Sequence, residues 1–261
     1  MGWIRTDYEF GSLFSYRIPD YPSPSYALSS PLPGPSTIKL AIVATAIETS
    51  GKVDFGEKIF EIVKNTAIKI KTPKKIALSN MLIKRLKQKD PSKQKTEIVG
   101  DCEGCTKKNV KLWLIEEKGK QLCKECATTL ESTFGIRGYV HFLEPLTIYL
   151  NVDNKECLKE LLKKVRRFGT SDSLVYCRDV VEEEPPANCI EPVETIEKSQ
   201  RNVLLVPVKD LNPDSEIKFE HVNPYDNSKP PKDKKVFVRK FYLIPISEHK
   251  QGKNWIIYEI R

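Results

Sequence analysis

Apolar and polar residues alternate most clearly over residues 146–152, LTIYLNV, which is the period of a half-buried strand. Asp153 or Asn154 then caps a predicted helix whose apolar positions are Cys157, Leu158, Leu161, Leu162 and Val165. Gly169 stands where a helix C-terminus favours glycine, and residues 173–177 begin another strand, completing a β-α-β unit. Further strands are predicted at 6–17 (with Tyr8, Phe10, Phe14 and Tyr16), 67–71, 203–208, 217–221, 236–246 and 255–260. Ser36 reads as the N-cap of a helix over 37–49 that is apolar nearly all round, so burial is expected. Asp54 and Glu57 form a capping-box pattern for a second helix ending at Lys64. Pro19, Pro22, Pro24, Pro31, Pro33 and Pro35 keep the segment before the first helix extended or looped. Between Lys74 and Lys95, the spacing of Ile76, Leu78, Met81, Leu82, Ile83 and Leu86 predicts an amphipathic helix followed by a loop. Two β-α-β-like halves without an internal repeat predict an α+β fold with a ferredoxin-like domain and an antiparallel sheet.

The strongest chemical signal is Cys102-Glu-Gly-Cys105 followed, after residues 106–122, by Cys123-Lys-Glu-Cys126. Two C-x-x-C pairs at that separation read as one tetrahedral Cys₄ zinc site. Gly104 relaxes the first turn. Residues 110–115 and the following Gly119-Lys suit a small hairpin, and 127–134 a short helix, which gives a zinc-ribbon or treble-clef module. Two disulfides or free thiols are the competing reading. A catalytic zinc is disfavoured, because such sites keep an open position and no histidine lies within the module. The metal is therefore expected to be structural, ordering a piece too small to hold itself by burial. The expected organisation is a main domain of residues 1–73 and 137–261, with a basic insertion over 74–136 and the zinc module at 102–126.

The chain has 261 residues, of which 39% are hydrophobic and 30% charged, with a net charge of +8. That balance favours a polyanionic partner. Four of the seven cysteines fall in a metal pattern, which suits a reducing compartment, while Cys157, Cys177 and Cys189 have no spacing logic. No apolar signal core opens the chain, and the apolar run 38–47 is broken by Lys39 and too short to span a bilayer. A cytoplasmic protein with no membrane partner is expected.

Basic residues cluster at 84–95, 159–167 and 229–240. A solvated face accounts for any one cluster alone. In the second, Lys163, Lys164, Arg166 and Arg167 run into Phe168-Gly-Thr-Ser-Asp-Ser, where backbone N–H groups and guanidinium forks can meet phosphates. The same cations can instead complement a helix C-terminus, and Phe168 is either a stacking residue or core. Catalytic candidates are sparse: the histidines are His141, His221 and His249. His141 with Tyr139 in one strand offers a metal-independent ribonuclease pair, against the plainer reading of a partly buried strand histidine.

Several runs stand out: Phe14-Ser-Tyr-Arg-Ile-Pro, Ser25-Tyr-Ala-Leu and Pro33-Gly-Pro-Ser-Thr-Ile-Lys-Leu-Ala-Ile-Val; then Tyr139-Val-His-Phe with Pro145-Leu-Thr-Ile-Tyr-Leu, Arg167-Phe-Gly-Thr-Ser-Asp-Ser-Leu-Val and Phe241-Tyr-Leu-Ile-Pro-Ile. Together they resemble the fifth Cas family of CRISPR-associated RAMP proteins. The resemblance covers most of the chain outside 74–136, and the cysteine module departs from the common pattern. It implies an RRM-related, ferredoxin-like RAMP core that caps the 5′ handle of a CRISPR RNA (crRNA) in a type I Cascade surveillance complex. It also implies contacts to backbone RAMP subunits, to the large subunit and to target DNA within the complex. The basic insertion takes the place of a thumb-like element. Most such proteins are not enzymes, and the sparse histidines favour that role. On this reading RNA is carried by Ser36, Lys39, Lys74, Lys75, Lys84, Arg85, Lys87, Lys163, Lys164, Arg166, Arg167 and Ser171. The competing functions are a precursor-crRNA endoribonuclease using Tyr139 and His141, and a zinc-ribbon protein-interaction module without RNA.

Overall fold

The structure is a computed structural model that describes residues 2–19, 26–89, 98–115, 120–153, 155–196, 202–214, 217–223 and 236–261. The chain forms two units, Met1–Met81 with Ile136–Arg261, and Leu82–Gly135.

In the larger unit, β1 (Gly2–Phe10) alternates as its sequence requires, burying Ile4, Thr6 and Tyr8 on one face. β9 (Leu146–Val152) does the same with Leu146, Ile148, Leu150 and Val152. With β3 (Ala67–Lys71) and β10 (Val175–Glu182) they form a sheet of order β10-β1-β9-β3. Each neighbouring pair in it is antiparallel. Helices α1 (Pro35–Ser50) and α2 (Val53–Val63) connect β1 to β3, and α4 (Lys155–Leu162) connects β9 to β10. The Tyr8 hydroxyl donates to the Leu162 carbonyl at 2.9 Å, which satisfies a helix-end acceptor from the sheet. Phe168 is fully buried, edge-on to Tyr8 at 4.9 Å, so it belongs to the core.

The helix starts differ from the expected ones. Gly34, not Ser36, is the N-cap of α1, with Pro35 in the first turn and no side-chain cap. Proline pre-sets the helical φ, and Ser36 Oγ is free to donate to the Lys209 carbonyl at 2.8 Å. α1 ends at Gly51, whose φ of 67° and N–H bond to Ile47 O make a left-handed cap. Lys52, not Asp54, is the N-cap of α2, and Asp54 lies in its first turn.

A second sheet runs β11-β12-β13-β4-β8-β2, from β11 (Val203–Leu211), β12 (Phe237–Gln251), β13 (Trp255–Ile260), β4 (Lys75–Lys89), β8 (Thr129–Phe142) and β2 (Tyr26–Ala27). The helix expected from Lys74 onward is β4. Its apolar spacing fits either period, and pairing decides: Ile76, Ala77 and Leu78 lie opposite Tyr258, Ile257 and Ile256 of β13. Lys74 and Lys75, expected in the insertion, therefore lie in the larger unit. The strand expected at 217–221 contains a short 3₁₀ turn, Phe219–His221, with Phe219 buried against Phe60. Lys93, Lys95 and Lys229, with Pro22 and Pro24, lie outside the described residues.

In the smaller unit, β5 (Val99–Gly100), β6 (Val110–Ile115) and β7 (Lys120–Cys123) form an antiparallel sheet of order β5-β6-β7. The helix expected over 127–134 is only the single turn α3 (Lys124–Ala127), after which β8 begins. Threonines at 128, 129 and 133 favour the extended form there. No helix among the described residues is long and apolar enough to cross a membrane.

Candidate metal centre and nucleic-acid interface

The four cysteines expected to hold a metal come together in the smaller unit. One Sγ from each of Cys102, Cys105, Cys123 and Cys126 lies within 4.8 Å of all the others. The β6–β7 pair carries Cys123 to the first knuckle, and α3 turns Cys126 back towards it. Two backbone N–H groups point at the Cys102 sulfur, from Cys123 at 3.2 Å and Gly104 at 3.3 Å. Chiefly through the Cys123 N–H, they pull the Cys102 thiol down to about 6, which favours the thiolate a metal needs. The sulfur of Cys105, followed by that of Cys123, drives Cys126 up to about 12, the mark of thiols crowded together. Gly104 is needed for space: a Cβ there would lie 3.0 Å from the Cys126 Cβ and from Leu122. Among the described residues of this module, Cys102, Leu112, Leu122, Cys123 and Ala127 are buried, with Val110, Trp113 and Cys126 packed at the edge. The four sulfurs are close enough together to share one metal ion.

The basic residues fall into three situations. Lys39 is 2% exposed, and its ammonium donates to Asp210 at 2.8 Å and to the Lys64 carbonyl at 3.0 Å. Ser36 is buried beside it. Lys39 does not reach a ligand at the surface and leaves the expected RNA-binding set, whereas Ser36, although buried, lines the groove along α1. Lys75 is paired with Glu259 at 2.9 Å, and Lys163 with Glu160 at 2.7 Å. Lys74 is exposed, with its backbone N–H held by Glu144.

Arg166, Arg167 and Ser171 come together beside α1. Leu40, Ala41 and Ala44 floor a groove of about 340 Å³, rimmed by Arg166, Arg167 and Ser171 and closed in part by Tyr16 and Phe237. The arginines are not at the end of α4. They lie in the loop after it, where Arg167 bridges to Leu174 and Gly169 turns the chain with φ of 78°. Tyr16 packs under that turn, since a Cβ on Gly169 would come 2.8 Å from its ring. Thr170 and Ser173 bind the Ser15 carbonyl, fixing the turn to the strap before α1. Arg167 pairs with Glu48 at 2.5 Å, whereas Arg166 and Lys164 are exposed with no ion-pair partner among the described residues. The turn thus offers cations and hydroxyls beside an apolar floor. Tyr16, Leu40 and Phe237 gave no sequence signal, because nothing in their spacing shows that they meet.

In the smaller unit, Leu82, Leu86, Leu130 and Phe134 of β4 and β8 are 61–70% exposed. The Lys84 ammonium sits 5.9 Å above the Phe134 ring, and the Arg85 carbonyl accepts from Thr133 at 3.4 Å. Lys87 lies further along β4. Tyr139 and His141 share one face of β8, two residues apart, with His141 exposed and the Arg137 guanidinium 5.6 Å from the Tyr139 ring. The histidine expected to be partly buried is open to solvent because Val140 and Phe142 take the inward positions of β8.

Comparison with known proteins puts the chain among CRISPR-associated proteins. It is 36% identical over 266 residues to the CRISPR-associated protein Cas5 of Archaeoglobus fulgidus, with all of both chains covered. The chain belongs to the Cas5 family. No protein-family model matches it. Among solved structures it is similar to a CRISPR protein from Archaeoglobus fulgidus, with TM-score 0.45, 16% identity, and 100% of this chain and 92% of that one covered. It is also similar to a chain of a CRISPR RNA-guided surveillance complex, with TM-score 0.34, 11% identity, and coverage of 94% and 89%.

Proposed function

We propose that this Cas5-family chain is a non-catalytic crRNA-binding subunit of a type I Cascade complex, where it caps the 5′ handle. The observation that carries the reading is the groove along α1, where Arg166, Arg167 and Ser171 border an apolar floor beside the Gly169 turn. Phosphates there meet guanidinium forks and hydroxyls, and an unstacked base meets Leu40, Ala41 and Tyr16. Engagement of Arg167 exchanges its Glu48 partner for a phosphate.

The sheet supports a ferredoxin-like, RRM-related core: strands in the succession β-α-β-β-α-β stand in the order β10-β1-β9-β3. Lys84, Arg85 and Lys87 on the β4 strand support the thumb-like role for the smaller unit, which packs against RNA and neighbouring subunits of a cytoplasmic assembly that also engages target DNA. The metal is zinc, held by Cys102, Cys105, Cys123 and Cys126 in a closed structural site of the ribbon or treble-clef kind. Tetrahedral Zn–S bonds of about 2.3 Å place sulfurs about 3.8 Å apart, and Cys105 and Cys123 are separated by 3.8 Å.

The test is twofold. Co-purification with the neighbouring gene products and a CRISPR array, followed by sequencing of bound RNA, is expected to return short RNAs sharing one repeat-derived 5′ end. In binding assays, charge reversal at Arg166 and Arg167 is expected to weaken RNA affinity and flatten its salt dependence, by about 0.7 in log–log slope for each phosphate that is no longer neutralised. Unchanged affinity and slope would remove the groove from the RNA path. Repeat RNA is expected to stay uncut in EDTA; site-specific cuts lost in His141→Ala would instead make the chain an endoribonuclease.

A further inference from the structure

A second cleft in the larger unit, of about 290 Å³, opens between the β12–β13 turn, β4, β8 and the segment carrying Ile18, Leu28 and Ser29. Trp255 forms one wall, is 47% exposed and stands opposite Ser79 in the sheet. Its indole lies against the turn: a Cβ on Gly252 would come 2.4 Å from Nε1, so glycine leaves the room the ring occupies. The turn is tied to β4 by the Asn80 N–H, which donates to the Asn254 carbonyl at 2.8 Å. Tyr139 lines the cleft from β8, with Arg137 over its ring. Asn80, Gln251, Asn254 and Lys253 complete the lining. Among the described residues, the three side-chain amides have no hydrogen-bond partner.

We propose that this cleft is a second nucleotide subsite, which takes one splayed base of single-stranded RNA. An exposed indole is a stacking platform for any base. A side-chain amide presents a donor and an acceptor side by side, which is the pattern of a base edge. Lys253 supplies charge for the backbone, and the volume suits a single nucleoside. The inference rests on the RNA-binding reading of the α1 groove, and one strap joins the two sites. Tyr16 lines the groove and Ile18 lines the cleft. Between them the strap is held extended by Ser30 N–H to Tyr16 O at 2.8 Å and Ile18 N–H to Leu28 O at 2.9 Å. Two extended residues span about 7 Å. A strand held by phosphate at the Arg166–Ser171 turn therefore reaches the cleft within a few nucleotides.

The test uses the full chain and a labelled single-stranded RNA carrying one abasic nucleotide at each position in turn. Wild type is expected to lose affinity sharply at one position besides those governed by the arginines. Trp255→Ala is expected to weaken binding of intact RNA roughly 5- to 100-fold and to erase the penalty at that position alone. Trp255→Phe, which keeps the ring, is expected to restore most of it. Asn254→Ala, at an exposed site, is expected to flatten base preference at that position without changing the melting temperature. If Trp255→Ala and Asn254→Ala bind within twofold of wild type with an unchanged abasic profile, while charge reversal at Arg166 and Arg167 still weakens binding, the subsite is wrong and the groove stands. If wild type binds no RNA, the groove reading falls and the subsite falls with it.

Discussion

The Lys39 ammonium donates to Asp210 at 2.8 Å with both side chains withdrawn from water, and so pins α1 to β11. Asp210 also accepts the Leu211 N–H at 2.8 Å and lies 3.4 Å from Lys240. Lys39→Met removes one partner of a buried pair and is expected to cost about 3 kcal/mol, at the low end for such a loss because Lys240 remains. Chemical denaturation checks the cost. A loss below about 1 kcal/mol would mean that Lys240 takes over the site.

Glu182 clamps β10 to α4 through Lys155 at 2.5 Å and Lys159 at 2.6 Å. These partners, Lys155 first, hold its carboxyl at about 2 against an ordinary 4.5. Because the folded value is the lower one, the clamp is fully present above about 4.5 and is lost as pH falls from there towards 2. Amide exchange in α4 is expected to quicken across that window in wild type and to lose that component in Glu182→Gln.

Replacing Cys102 and Cys105 together by serine is expected to release one equivalent of zinc and to disorder the smaller unit while the larger one keeps its melting transition. Metal analysis with limited proteolysis reads both. Loss of the whole fold would mean that the two units do not fold separately.

Gly169→Ala combines a left-handed backbone with a Cβ 2.8 Å from the Tyr16 ring. A cost of about 1–2 kcal/mol is expected from the backbone alone. RNA affinity is expected to fall as well, because the turn that presents Arg166 and Ser171 moves. Calorimetry and binding isotherms on the same preparation separate the two effects.

Residues with a purely local signal were readable in advance. Strand 146–152 follows from its alternation, and the sulfur cluster from two C-x-x-C spacings. What failed depended on partners distant in sequence. β4 reads as a helix until β13 lies beside it, because Ile76, Leu78 and Leu82 suit both periods. Lys39 looks like a surface cation at a helix start until Asp210 arrives from 171 residues away to bury it. Arg166, Arg167 and Ser171 form one compact segment, so sequence placed them together. The groove they border needed Tyr16, Leu40 and Phe237 from three other elements.

Leu82, Leu86, Leu130 and Phe134, standing in water on β4 and β8, carry a consequence for how the chain is made. A strand surface of that kind adheres to its own copies when nothing covers it. Chain made without a partner over that surface is therefore expected to accumulate as aggregate, and its soluble yield to rise when such a partner is co-expressed.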